Sequence, residues 1–198
     1  AGPNGELHAV WLDLRDQTTK LFGSRSTDGG VTWSKNTLVY ASPERTICEC
    51  CAPSVTIDGQ GRVWAMWRNA LDGARDMYAA VSADSVRFDA ARKLGEGTWK
   101  LNACPMDGGG FAVANGQVIS AWRRESDVYL SEPGKPERRI GTGRDIALAY
   151  SKRGAYVAWT TPAGVEIHTP GETAPVLLAP QAAFVHLDAL PDGSMLAA

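Results

Sequence analysis

Short apolar runs with a two-residue period, separated by clusters of Gly, Pro, Asn and Asp, follow one another along the whole chain. No stretch of ten or more residues carries a 3.6-residue apolar repeat, so helices are not expected. The clearest pattern centres on tryptophan. Residues 7–12, 63–68, 118–123 and 156–160 each place an indole (Trp11, Trp67, Trp122, Trp159) in a β-branched, aromatic segment too short for a helix. Such segments predict strands. Their tryptophans recur roughly 40 to 55 residues apart, the period of a repeat architecture.

A further strand is expected after a polar loop in each repeat, at 20–25, 76–81, 127–131 and 165–168. Another precedes three of the tryptophan strands, at 53–57, 110–114 and 146–150. Four strands per repeat make a propeller blade. The expected fold is all-β: a β-propeller of four-stranded antiparallel blades, about four of them visible, in a single domain over residues 1–198. The chain opens on a second strand at 5–11 and closes inside another at 192–198, which predicts part of a larger ring. Open blade edges would then invite self-association. In the competing arrangement a strand at 182–187 completes the first blade.

Composition narrows the function more than the fold. The 198 residues are 44% hydrophobic and 21% charged, ordinary for a globular chain. A net charge of −2 argues against a nucleic-acid partner. No apolar run approaches the roughly 18 residues that a membrane helix needs. No secretory signal lies within the sequence.

Residues 26–33 read Ser-Thr-Asp-Gly-Gly-Val-Thr-Trp, of the form Ser-x-Asp-x-Gly-x-Thr-Trp. Ser and Asp side chains can bond nearby backbone N–H groups and fix a tight turn. Gly30 can take a positive φ, and Trp33 can pack back between strands. The segment resembles the Asp-box, or bacterial neuraminidase repeat, of the sialidase superfamily, matching at Ser26, Asp28, Gly30, Thr32 and Trp33. A decayed copy stands at 82–88. The resemblance implies a six-bladed sialidase-like ring, with these turns between the third and fourth strands and away from the ligand face. Asp28 is then structural rather than catalytic.

The opposite face collects arginines. Sialidases clamp a sugar carboxylate with three of them, because guanidinium offers two parallel donors. The resemblance thus implies an anion site drawn from Arg68, Arg75, Asp76, Arg123 and Arg144. The competing reading pairs each arginine with a neighbouring carboxylate, as Arg75–Asp76 and Arg144–Asp145 invite. The superfamily's Tyr nucleophile, its activating Glu and its acid/base Asp are not mapped onto this chain. Tyr78 and Tyr129 recur at equivalent strand positions and read as core packing, and Glu125 as a solvated loop residue.

All four cysteines lie in two links between blades: Cys48, Cys50 and Cys51 in one, Cys104 in the other. Three readings compete. Disulfides suit an oxidising compartment, either a vicinal Cys50–Cys51 bridge or Cys48 or Cys50 joined to Cys104. A thiolate cluster suits Cu(I) or Zn(II) as cofactor. Reactive thiols are the third. The chain resembles exported bacterial Asp-box proteins with such a cluster, which implies a periplasmic or secreted location. His186 is a further candidate ligand, whereas His8 and His168 read as packed or exposed strand residues. The expected function is a binding module for an anionic, glycan-like ligand or a thiolate-bound metal. The alternatives are an exo-glycosidase of sialidase type, completed by residues outside this chain, and a disulfide-stapled scaffold.

Overall fold

The computed structural model describes residues 2 and 4–198, and all regular secondary structure among them is β. The chain forms two compact units, Ala1–Met106 and Asp107–Ala198. In the first, β1 (Leu7–Asp13), β2 (Lys20–Ser26) and β3 (Thr37–Ala41) make a three-stranded antiparallel sheet. Strands β4 (Ser54–Ile57), β5 (Val63–Arg68), β6 (Met77–Ser82) and β7 (Arg92–Lys93) make a four-stranded one in sequence order. Every residue of β5 is buried. A strand covered on both faces has no polar face to alternate with, hence the unbroken Val-Trp-Ala-Met-Trp run. Trp67 sits among Leu21, Val39, Ile47, Ala65 and Ala80, with the Tyr40 ring 4.7 Å from its own.

The second unit holds two four-stranded antiparallel sheets. One is built from β8 (Gly110–Ala114), β9 (Gln117–Arg124), β10 (Asp127–Ser131) and β11 (Arg138–Thr142). The other comprises β12 (Arg144–Ser151), β13 (Gly154–Thr161), β14 (Gly164–His168) and β15 (Val176–Pro180). Trp159 is fully buried in a core with Ile119, Val128, Leu130, Ile140, Ile146 and Val157. The backbone of the β11–β12 link lies directly on its indole. A Cβ at Gly141 or Gly143 would overlap the ring, so only glycine fits there. The tryptophan repeat thus marks β1, β5, β9 and β13: β5 is buried throughout, β9 and β13 are buried around their tryptophans, and β1 is half-buried.

The C-terminal segment departs from the strand at 182–187 of the competing arrangement, while the strand expected within 192–198 is present. Residues 182–186 lie outside any strand, and β16 (Leu187–Ala189) pairs with β17 (Met195–Ala197) as a separate hairpin. Two backbone hydrogen bonds between His186 and Ala198 extend that pairing. Among the described residues the sheet of β1–β3 has three strands, and β16 and β17 pair with each other.

The turn between β2 and β3 is held by side chains. Ser26 Oγ accepts from Gly30 N (2.8 Å) and donates to Asp28 Oδ1 (2.8 Å). Asp28 accepts from Thr32 N (2.9 Å) and from the Thr32 hydroxyl (2.6 Å). Gly29 and Gly30 both take positive φ. Trp33 does not pack back between strands. The residue is 46% exposed, and its indole N–H donates to Gly30 O, which closes the turn from outside. After β6 the same device recurs in reduced form: Asp84 accepts from Arg87 N and Val86 N and from the Ser82 hydroxyl.

These hydrogen bonds favour the ionised carboxylates. The Thr32 hydroxyl leads in lowering Asp28 to about 2, and the Arg87 N–H in lowering Asp84 to about 2. Both folded values lie below the unfolded value near 3.9. Their stabilising contribution is therefore complete above about pH 4 and lost as pH falls through about 2. An Asp28→Asn variant is expected to show a shallower fall in melting temperature between those pH values than the native chain. Parallel slopes in thermal melts would contradict this assignment.

Candidate functional site

The second unit carries a cleft of about 300 Å³, lined by Arg123, Ser126, Thr142, Gly143, Arg144, Thr160, Thr161 and Pro162. Three connections supply it: the β9–β10 turn, the β11–β12 link and the β13–β14 turn. All lie at one end of their strands, as blade topology requires of second-to-third turns and blade-to-blade links. Two of the expected arginines meet here. Arg123 is held by Asp107, with its Nε 3.1 Å from the carboxylate, and the Asp107 side chain is almost wholly buried. Asp107 also accepts from Asp145 N, 3.3 Å away. Arg144 is 64% exposed, with Nε 3.4 Å from Asp145. Both arginines thus have carboxylate partners; of the two pairs the competing reading named, Arg144–Asp145 is present, whereas Asp76 pairs with Lys93. Those carboxylates stand behind the cleft rather than in its lining.

The hydroxyls of Thr142, Thr160 and Thr161 are already oriented. Thr161 donates to Gly164 O (3.0 Å), Thr160 accepts from Phe184 N (3.1 Å), and Thr142 donates to Asp127 (3.2 Å). Sequence reading missed these groups because single hydroxyl residues in turns are too common to carry a signal. Only the convergence of three turns distinguishes them. Arg124, next to Arg123, points elsewhere: it pairs with Glu137 and lies 3.8 Å over the Tyr129 ring.

The first unit places its arginines differently. Arg68 is 1% exposed. It donates through Nη1 to Arg75 O (2.6 Å) and lies over the Trp99 ring, so it braces the β5–β6 loop. Asp76 accepts from Trp99 N (2.9 Å) and pairs with Lys93 (3.0 Å). Arg75 lines a second cleft of about 340 Å³ with Thr46, Ile47, Cys48, Glu49, Cys50, Ala103 and Cys104, and its Nε donates to Ala103 O.

The cysteines are joined as Cys48–Cys51 and Cys50–Cys104, with Cys48, Cys50 and Cys104 in the wall of that cleft and Cys51 buried. The vicinal Cys50–Cys51 bridge does not form; the link folds so that Cys51 N bonds Cys48 O, bringing positions 48 and 51 within 5.5 Å at Cα. Cys104 meets Cys50 at a Cα separation of 6.3 Å, ordinary for a bridge. Three sulfurs, of Cys48, Cys50 and Cys51, lie within 4.8 Å of one another and make a ligand set of suitable size for a metal. Bridged sulfur is not thiolate, so copper or zinc binding requires the bridges to be reduced first. Among the histidines, His168 is buried and its pKa lowered, mainly by that burial and then by Arg138. His186 instead stands in solvent, 3.1 Å from Asp188.

No family model matches the chain, and no curated sequence does. Solved structures do. An α-L-arabinanase of Penicillium chrysogenum aligns with a TM-score of 0.60 at 15% identity, over 95% of this chain and 64% of its own. The α-L-arabinofuranosidase Arb93A of Fusarium graminearum gives 0.62 at 11% identity, over 94% and 64%. The intramolecular trans-sialidase of Ruminococcus gnavus gives 0.53 at 15% identity, over 90% and 45%. The chain therefore spans less than two thirds of each of these enzymes. Together with the antiparallel four-stranded sheets, these likenesses define the fold as that of a β-propeller.

Proposed function

We propose that this chain is an extracytoplasmic, glycan-facing β-propeller module that binds an anionic sugar in the cleft of Arg123 and Arg144. The observation that carries the reading is the composition of the lining: two guanidinium groups, four hydroxyl side chains and no carboxylate. About 300 Å³ is at the small end of ligand pockets, the size of one sugar ring rather than a chain. Two disulfides favour an oxidising compartment.

The test is titration of the protein with N-acetylneuraminate and glucuronate against neutral glucose, followed by NMR. Acidic sugars are expected to bind and glucose not. Arg144→Ala is expected to weaken binding about tenfold, the loss of one charge-assisted contact, with an unchanged melting temperature because Arg144 is mostly exposed. Equal response to acidic and neutral sugars would overturn the proposal. A second reading, glycoside hydrolysis, is favoured by the enzymes named above; turnover of a fluorogenic arabinofuranoside or sialoside by the protein would support it. Neither binding nor turnover would leave a disulfide-stapled scaffold.

A further inference from the structure

The two disulfides of the first unit are not independent. Cys50 Sγ, bonded to Cys104, lies 3.8 Å from Cys48 Sγ and 4.0 Å from Cys51 Sγ, the two sulfurs of the other bridge. The pairs also differ in access. Cys48 and Cys51 are 4% and 1% exposed, whereas Cys104 is exposed at the cleft wall. Arg75 lines the same cleft, and a fixed positive charge beside a cysteine favours its thiolate.

We propose that this cluster is a thiol–disulfide exchange site, in which Cys50 passes reduction from the accessible Cys50–Cys104 bridge to the buried Cys48–Cys51 bridge. The electron donor is an external dithiol. One of its thiolates attacks Cys104 Sγ, forming a mixed disulfide and releasing Cys50 as thiolate. The donor's second thiolate then attacks its own sulfur in that mixed disulfide and frees Cys104. The donor leaves as a disulfide, two electrons poorer; one of its two protons ends on Cys104, and the other is released while Cys50 is thiolate and ends on the sulfur that Cys50 displaces. The Cys50 thiolate next attacks Cys51 or Cys48. A Cys50–Cys51 or Cys48–Cys50 bond forms, the Cys48–Cys51 bond breaks, and the displaced sulfur takes the electron pair and the proton. The disulfide count does not change in this last step; only its place does. Short reach is what the step demands, since exchange proceeds by direct contact of three sulfurs, and Cys50 is within about 4 Å of both targets.

The test is a Cys104→Ser variant of the whole chain, prepared with a chelator, acid-quenched, alkylated and mapped by tandem mass spectrometry. One of the three remaining cysteines is then free. The expected result is label on Cys48 or Cys51 as well as on Cys50, with more than about a tenth of the total away from Cys50. Label confined to Cys50 would overturn the proposal. Should the variant not fold, the native chain is given one equivalent of dithiothreitol and alkylated at increasing delays. Cys104 is expected to be labelled throughout, while the second label migrates from Cys50 to Cys48 or Cys51. A second label that stays on Cys50 overturns the relay.

Discussion

Trp159→Ala is expected to lower stability by about 3–5 kcal/mol, the cost of removing a large buried aromatic ring. The expectation rests on a packing arrangement that cannot relax easily. The indole is fully buried, and the backbone of Gly141 and Gly143 rests directly on it. Without the ring, the β11–β12 link loses its support, and that link carries Thr142, Gly143 and Arg144 of the cleft. Trp159→Ala should therefore lose acidic-sugar binding as well as stability, whereas Trp159→Phe, which keeps part of the ring, should lose less of both. Urea unfolding and sugar titration on the two variants measure this. A Trp159→Ala protein with an unchanged unfolding midpoint would show that the indole is not what holds the link.

Loss of the Cys50–Cys104 bridge is expected to cost about 4 kcal/mol, and loss of Cys48–Cys51 about 2 or less. The bridges close loops of very different length, with sequence separations of 54 and 3. A cross-link removes more unfolded-chain entropy when the loop it closes is longer. Cys50→Ala/Cys104→Ala and Cys48→Ala/Cys51→Ala double variants, compared by urea unfolding, separate the two contributions. Equal destabilisation would refute the loop-length account. The longer bridge also ties the β3–β4 link to the segment after β7, so its loss should loosen the walls of the Arg75 cleft.

The cleft of Arg123 and Arg144 raises a question of charge. Each arginine already has a carboxylate, so the site holds little net positive charge. Such pairing orients a guanidinium without filling the cleft, since Asp107 and Asp145 are not in its lining. Arg144, in solvent, is the more available of the two. Arg123, on a buried carboxylate, is better placed to fix the wall than to meet a ligand alone. Asp107→Asn would remove the negative charge 3.1 Å from Arg123 Nε and should disturb the cleft more than Arg144→Ala does.

The sequence determined the fold class and the positions of most strands, though not of the last strand of each sheet, β3, β7, β11 and β15. Period-two apolar patterns act over a few residues, and they marked β2, β4, β6, β8, β10, β12 and β14 and the four tryptophan strands to within a residue or two. It also determined the turn of Ser26–Trp33, because every hydrogen bond in that turn spans four residues or fewer. It placed the four cysteines in two links that come together. The tertiary structure alone decided which cysteines pair, because Cys48, Cys50 and Cys51 are equally near along the chain and only the fold of the link tells them apart. It alone separated Arg68, sealed beneath a loop, from Arg123 in the cleft wall, since both stand directly after the tryptophan of their strand. It also turned Trp33 outward and ended the chain in its own hairpin. Local pattern fixes which residues are in strands; what a side chain at a strand end touches depends on turns far away in sequence, and that is set only when the sheets pack.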